Sequence, residues 1–160
     1  MKSYTDQAKA EIFYNEGNVS AKMGMFENAL SLYDQAITLD DANPMYYNNR
    51  AATLKRLGRF QEAIKQYEEI VQKFPDYGKA FLSISSTYIE AGNYQGAVSS
   101  YRRFLAAYKK GQFTFNPIWG EVNQSTYGEN LLETALLTSI NYLSADQQGL
   151  AIQAFQEAQY

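Results

Sequence analysis

The chain has 160 residues, a net charge of -3, and neither cysteine nor histidine. Those absences exclude disulfides, thiol nucleophiles, imidazole bases, Ser-His-Asp triads and the common thiolate or imidazole metal sites, and a slightly negative, interspersed charge offers no basic face for nucleic acid. Fourteen Tyr and nine Phe argue for an ordered chain, no apolar run is long enough to cross a bilayer, and the polar first ten residues lack the core of a secretory signal, so the expected location is cytoplasmic.

Residues 1–9 read as an extension of the first helix. A period of 34 residues then sets in. It carries Gly24, Gly58 and Gly92, then Phe26, Phe60 and Tyr94, then Ala29, Ala63 and Ala97, then Tyr33, Tyr67 and Tyr101. A fixed period of this length marks stacked repeats, each too small to bury its own apolar face. The repeats run over 10–43, 44–77 and 78–109, and each reads as two helices and a tight turn. In the second, helix A spans about 45–57 and helix B 60–73, with Tyr47, Ala51, Leu54, Phe60, Ala63, Ile64, Tyr67 and Val71 at helical spacing. Each turn glycine follows a helix end, where a left-handed residue stops the helix. Position eight of the repeat is small (Gly17, Ala51, Ser85) and position twenty is Ala, which lets helices A and B approach closely. The aromatic at position twenty-four is expected to fill the space toward the next helix, and Pro75 closes the second repeat.

The rhythm breaks over 110–130, where Phe113, Phe115, Trp119 and Tyr127 lie among Gly111, Pro117, Gly120 and Gly128. So many aromatics suit an ordered loop or insertion, not a solvated linker. They either cover the open edge of the third repeat or contribute to a partner site. Over 131–160 a helix pair returns, with Ser144 and Gln147 as a capping box; it is a diverged fourth repeat or a cap.

In its recurring small and large positions, residues 10–109 resemble the tetratricopeptide repeat family. The resemblance implies an all-α, right-handed superhelical solenoid of antiparallel helix pairs whose concave groove binds peptides or protein segments. The sequence departs from the pattern at Glu16 and Ser20, polar where large apolar residues are usual, and at Ile70 and Phe104, large where a small residue is usual. A first repeat has no predecessor to pack against, so polar residues in its helix A are physically reasonable. Phe104 suggests that the contact after the third repeat is not a standard stacking.

Helix A supplies the inner face in such repeats. Positions two, five, nine and twelve form one stripe: Glu11, Tyr14, Asn18 and Ala21; Met45, Asn48, Ala52 and Lys55; Lys79, Leu82, Ser86 and Ile89. Some co-chaperones of the family hold the C-terminal carboxylate of heat-shock chaperones with Lys and Asn in the first repeat, Asn in the second, and Lys and Arg in the third. "EGN" at 16–18, "YYNNRAA" at 46–52 and "PDYGKAF" at 75–81 are similar to that group. Asn18, Asn49 and Lys79 match, whereas Tyr14 and Ser83 replace the first Lys and the Arg. Lys55 and Arg56 could supply replacement charge.

The leading reading is a non-catalytic protein-interaction module, a scaffold, chaperone or co-chaperone, that needs no cofactor or metal and binds a protein or peptide but not nucleic acid. The alternative is an accessory domain of a larger enzyme that self-associates through its C-terminal segment. Glu68 and Glu69 cannot converge as a catalytic pair, because neighbouring helical residues point apart. Replacing Ala63 by Leu should overpack the second repeat and lower stability by roughly 1–3 kcal/mol; an unchanged melting midpoint would contradict the repeat register.

Overall fold

In a computed structural model, described over residues 3–113, six helices follow one another: α1 (Tyr4–Lys22), α2 (Phe26–Leu39), α3 (Pro44–Arg56), α4 (Phe60–Lys73), α5 (Gly78–Glu90) and α6 (Tyr94–Lys109). No strand occurs among the described residues. Two compact units meet between Ile70 and Val71, inside α4. The aromatic segment beyond Phe113 and the helix pair expected over 131–160 lie outside the described residues.

Local chemistry sets the helix ends. The Ser3 hydroxyl accepts from the Asp6 N–H at 3.1 Å to start α1. Asn43 Oδ1 accepts from the Met45 N–H at 3.0 Å to start α3, with Pro44 in the first turn, where a missing N–H does no harm. At the other end, Gly24, Gly58 and Gly92 have φ of 78°, 76° and 78°. Around the first of them, Gly24 N–H donates to the Ala21 carbonyl at 3.1 Å and Met25 N–H to the Ser20 carbonyl at 2.8 Å. These two bonds satisfy carbonyls that the helix end would leave open, and the same pair of bonds recurs at Gly58 and Gly92.

In the first unit, α1 packs against α2 and α2 against α3. A Cβ built on Gly17 would lie 2.6 Å from Cε1 of Tyr33. The ring of the position-twenty-four tyrosine therefore rests on the small residue of its own repeat, not only against the next helix as expected from sequence. Ser20, out of pattern at its position, is buried but accepts a hydrogen bond from Asn28 Nδ2 at 2.8 Å. A buried hydroxyl is tolerated once it is paired. Between the first two repeats, Ala10, Ala36 and Tyr46 form a buried cluster, with Phe13, Tyr14, Ile37 and Leu39 packed on it.

In the second unit, Ser85 Oγ donates to the Ala97 carbonyl at 2.7 Å, joining positions eight and twenty of the third repeat directly. Phe81, Leu82, Tyr101, Phe104, Leu105 and Phe113 form its core. Phe113 follows a fourth left-handed glycine, Gly111 with φ 68°, which turns the chain back after α6. Its ring stacks on Phe104 at 5.3 Å and tilts against Phe81 at 5.1 Å, while the Gln112 side chain donates to the Pro75 carbonyl at 2.8 Å. The bulky Phe104 thus receives an aromatic from the following segment, and Phe113 covers the third repeat.

Gly17→Ala should cost about 1–3 kcal/mol, because the added methyl overlaps a ring with no room to retreat. A urea-unfolding midpoint equal to wild type would mean that α1 and α2 are less tightly apposed than this.

Candidate functional site

An open pocket of about 370 Å³ lies within the first unit, lined by Asn18, Ala21, Lys22, Tyr33, Asn49, Ala52, Thr53 and Arg56. Seating Tyr33 over Gly17 aims its hydroxyl at the α1 stripe, and the Tyr33 O–H donates to Asn18 Oδ1 at 2.7 Å. Asn49 Nδ2 donates both to Asn18 Oδ1 at 2.9 Å and to the Tyr14 hydroxyl at 3.0 Å. Thr53 Oγ1 donates to the Asn49 carbonyl one turn back, at 2.8 Å. The Tyr14 ring is held in turn by Tyr46, with ring centres 4.9 Å apart.

This arrangement uses up acceptors and leaves donors. Asn18 Oδ1 takes two hydrogen bonds and both Asn49 amide hydrogens are engaged, which leaves the two N–H donors of the Asn18 amide at a pocket-lining residue. Lys22 and Arg56 add two cations at the same pocket, and no carboxylate lines it. Arg56 is oriented by the Phe26 ring, 4.7 Å from the guanidinium carbon. Burial pushes the Tyr33 hydroxyl up to about 12, with Tyr14 adding to the rise and Thr53 and Asn49 opposing it. Tyr33 is therefore a neutral donor at physiological pH.

Of the residues named for the inner face and its charge, Asn18, Ala21, Asn49, Ala52 and Arg56 line the pocket, and Tyr14 bonds to Asn49 beside it. Glu11 is exposed and Met45 and Lys55 are half-buried, none of them lining it. Three expectations need correction. Asn48 is 3% exposed, Leu82 8% and Ile89 9%, so none of them presents a free contact surface. Leu82 belongs to the core of the second unit, in one buried cluster with Phe104 and Leu105 of α6. In that unit Lys79 is exposed, and Ser83 and Ser86 are half-buried, with the Ser83 carbonyl accepting from Thr87 Oγ1 at 2.6 Å and Ser86 Oγ at 3.1 Å.

Sequence reasoning missed Lys22, Tyr33 and Thr53 as lining residues. A signal for the first was present: Lys22 and Arg56 occupy the same repeat position, one period of 34 residues apart.

The tetratricopeptide repeat family model matches residues 14–78 and again 48–112, two placements offset by the period read from the sequence. The chain belongs to this family. The small glutamine-rich tetratricopeptide repeat-containing protein of Dictyostelium discoideum is 37% identical over 75 residues, which is 47% of this chain and 22% of that protein. The chain thus spans about a fifth of that relative. Among solved structures, the Arabidopsis OM64 TPR domain superposes with a TM-score of 0.63 at 21% identity, covering 86% of this chain and 99% of that one. The TPR2B domain of yeast Sti1, solved as a complex with pHsp70, gives a TM-score of 0.61 at 25% identity, covering 82% and 98%. Fold and family together make this tetratricopeptide chain a protein-interaction module, an all-α solenoid type. No described helix is long and apolar enough to cross a membrane.

Because the folded state holds Tyr33 protonated to about pH 12 and an unfolded tyrosine ionises near 10.0, the folded state keeps a proton that the unfolded state gives up between those values. Its contribution to stability is complete below pH 10.0 and is lost as pH rises toward about 12. The stability advantage of wild type over Tyr33→Phe should accordingly be constant from neutral pH to about 9.5 and shrink above it. Parallel unfolding curves up to about pH 11 would show that the hydroxyl is not buried in this network.

Proposed function

We propose that the chain is a non-catalytic module that holds an acidic peptide segment of a partner protein in its helix-A groove, with a carboxylate seated between Lys22 and Arg56. The observation that carries this reading is the donor excess of the pocket: two cations and the free amide hydrogens of Asn18, with no acid among the lining residues. An acceptor-rich anion complements that set, and charge-assisted bonds to it are the strong kind. Ala21 and Ala52 leave space for an adjoining apolar side chain. Within the first unit the peptide backbone continues past Tyr14 and Met45. A yeast relative solved with pHsp70 supports a peptide ligand. The matching Asn18, Asn49 and Lys79 support a co-chaperone role, with the charge moved from Tyr14 and Ser83 to Lys22 and Arg56. A cytoplasmic location fits such a role.

Fluorescence anisotropy with a labelled acidic peptide tests this, using a free C-terminal carboxylate, its amidated twin, and a twin with its acidic side chains neutralised. Lys22→Ala and Arg56→Ala should each weaken binding by roughly 10- to 100-fold, the worth of one charge-assisted hydrogen bond, without changing the circular dichroism spectrum. Binding that is indifferent to both substitutions would remove the pocket from the function. Loss on amidation alone would assign the site to a terminal carboxylate, and loss on side-chain neutralisation would assign it to an internal acid.

A further inference from the structure

The outward face of α1 is apolar and open. Tyr4, Ala8, Ile12, Asn15, Val19 and Met23 recur at spacings of four or three residues and so lie along one stripe. Tyr4 is 86% exposed, Ile12 57%, Val19 57% and Met23 70%. The repeat shows how unusual this is. Ile12 and Val19 occupy positions three and ten, and their counterparts are closed over: Tyr46 is 4% exposed and Thr53 3%, Ala80 and Thr87 both 0%. Tyr46, for example, packs on Ala36 of the preceding α2. In α1 the corresponding positions stay apolar although nothing among the described residues covers them, so the helix retains a stacking surface without its neighbour. A patch of this kind on an otherwise charged helix marks an interaction site.

We propose that this face is covered by a second copy of the chain, α1 against α1 in an antiparallel two-fold pair. The stripe is self-complementary in that arrangement. With the axis midway between Ile12 and Asn15, Tyr4 meets the partner's Met23, Ala8 meets the partner's Val19, and Ile12 meets the partner's Asn15. Charge supports the same pairing. Lys9 and Glu16 are exposed along one edge of the stripe, and a two-fold axis brings that edge against itself. Glu16 then lies only about 3 Å along the helix axis from the partner's Lys9, which gives two opposite-charge pairs per dimer. A parallel pairing would set that edge against the partner's opposite edge and form neither pair. Of the pocket residues on α1, Asn18 and Ala21 lie off this stripe and Lys22 borders it.

Sedimentation velocity of the intact chain across a concentration series tests the proposal. The wild type should shift from monomer to dimer mass with rising concentration. Val19→Glu should weaken dimerisation at least about tenfold with an unchanged circular dichroism spectrum, since the residue is exposed. Lys9→Glu should weaken it by a smaller factor, and Lys9→Glu combined with Glu16→Lys should restore it. A chain that stays monomeric throughout overturns the proposal, as does a dimer indifferent to Val19→Glu. A double charge reversal that fails to recover what the single one loses also overturns it.

Discussion

The close approach of α1 and α2 is the constraint on which the first unit depends. It requires a backbone with no side chain at Gly17, because the Tyr33 ring occupies the space a Cβ would take, at 2.6 Å. That one missing methyl connects fold and site. The ring fills the inter-helix space and closes the core, and the same ring carries its hydroxyl to Asn18, which organises the pocket. The later repeats meet the requirement differently, with Ala51 and Ser85 at the equivalent position. Ser85 turns steric fit into a hydrogen bond with the Ala97 carbonyl. Variation at a small position therefore changes what the paired helix can present.

Polarity inside the repeats follows from who pairs with whom. Ser20 and Asn28 in the first repeat and Tyr88 and Gly96 in the third occupy the same two positions on facing helices. In the first, two polar groups satisfy each other at 2.8 Å. In the third, a glycine makes room for a large ring, since a Cβ on Gly96 would lie 2.8 Å from Tyr88. Read one position at a time, Ser20 looks like a departure from the family pattern; read as a pair with Asn28, it is a compensated substitution. Asn18 and Asn49 show the same logic at the site. Each looks like a free amide in the sequence, yet Asn49 spends its donors on Asn18 and Tyr14, the Asn18 oxygen is filled by Asn49 and Tyr33, and the Asn18 donors are what remains.

The fold was largely legible in the sequence because its determinants are local and repeated. Turn glycines, N-cap side chains and helical spacing act over a few residues, and three copies in register remove the ambiguity of any single one. The left-handed φ of Gly24, Gly58 and Gly92 follows from their place just after a helix. Less of the site was legible. The inner stripe brought out Asn18, Ala21 and Ala52, and the resemblance to the carboxylate-binding group added Asn49 and Arg56, but neither reached Lys22 at the next position along α1. The stripe also counted Asn48, Leu82 and Ile89 as contacts, although all three are buried.

The sequence by itself determined the period, the helix pairs, the turn chemistry and the exclusion of thiol and imidazole chemistry, since these depend on residue type and spacing along the chain. Tertiary structure alone decided that Tyr33 lies over Gly17, that Phe113 folds back onto Phe104, and that Lys22 and Arg56 share one pocket. It also decided that Asn49 spends its amide hydrogens on Asn18 Oδ1 and the Tyr14 hydroxyl. Those facts depend on distances between residues far apart in the chain, and helical periodicity tells which face a side chain occupies without telling which partner stands opposite it.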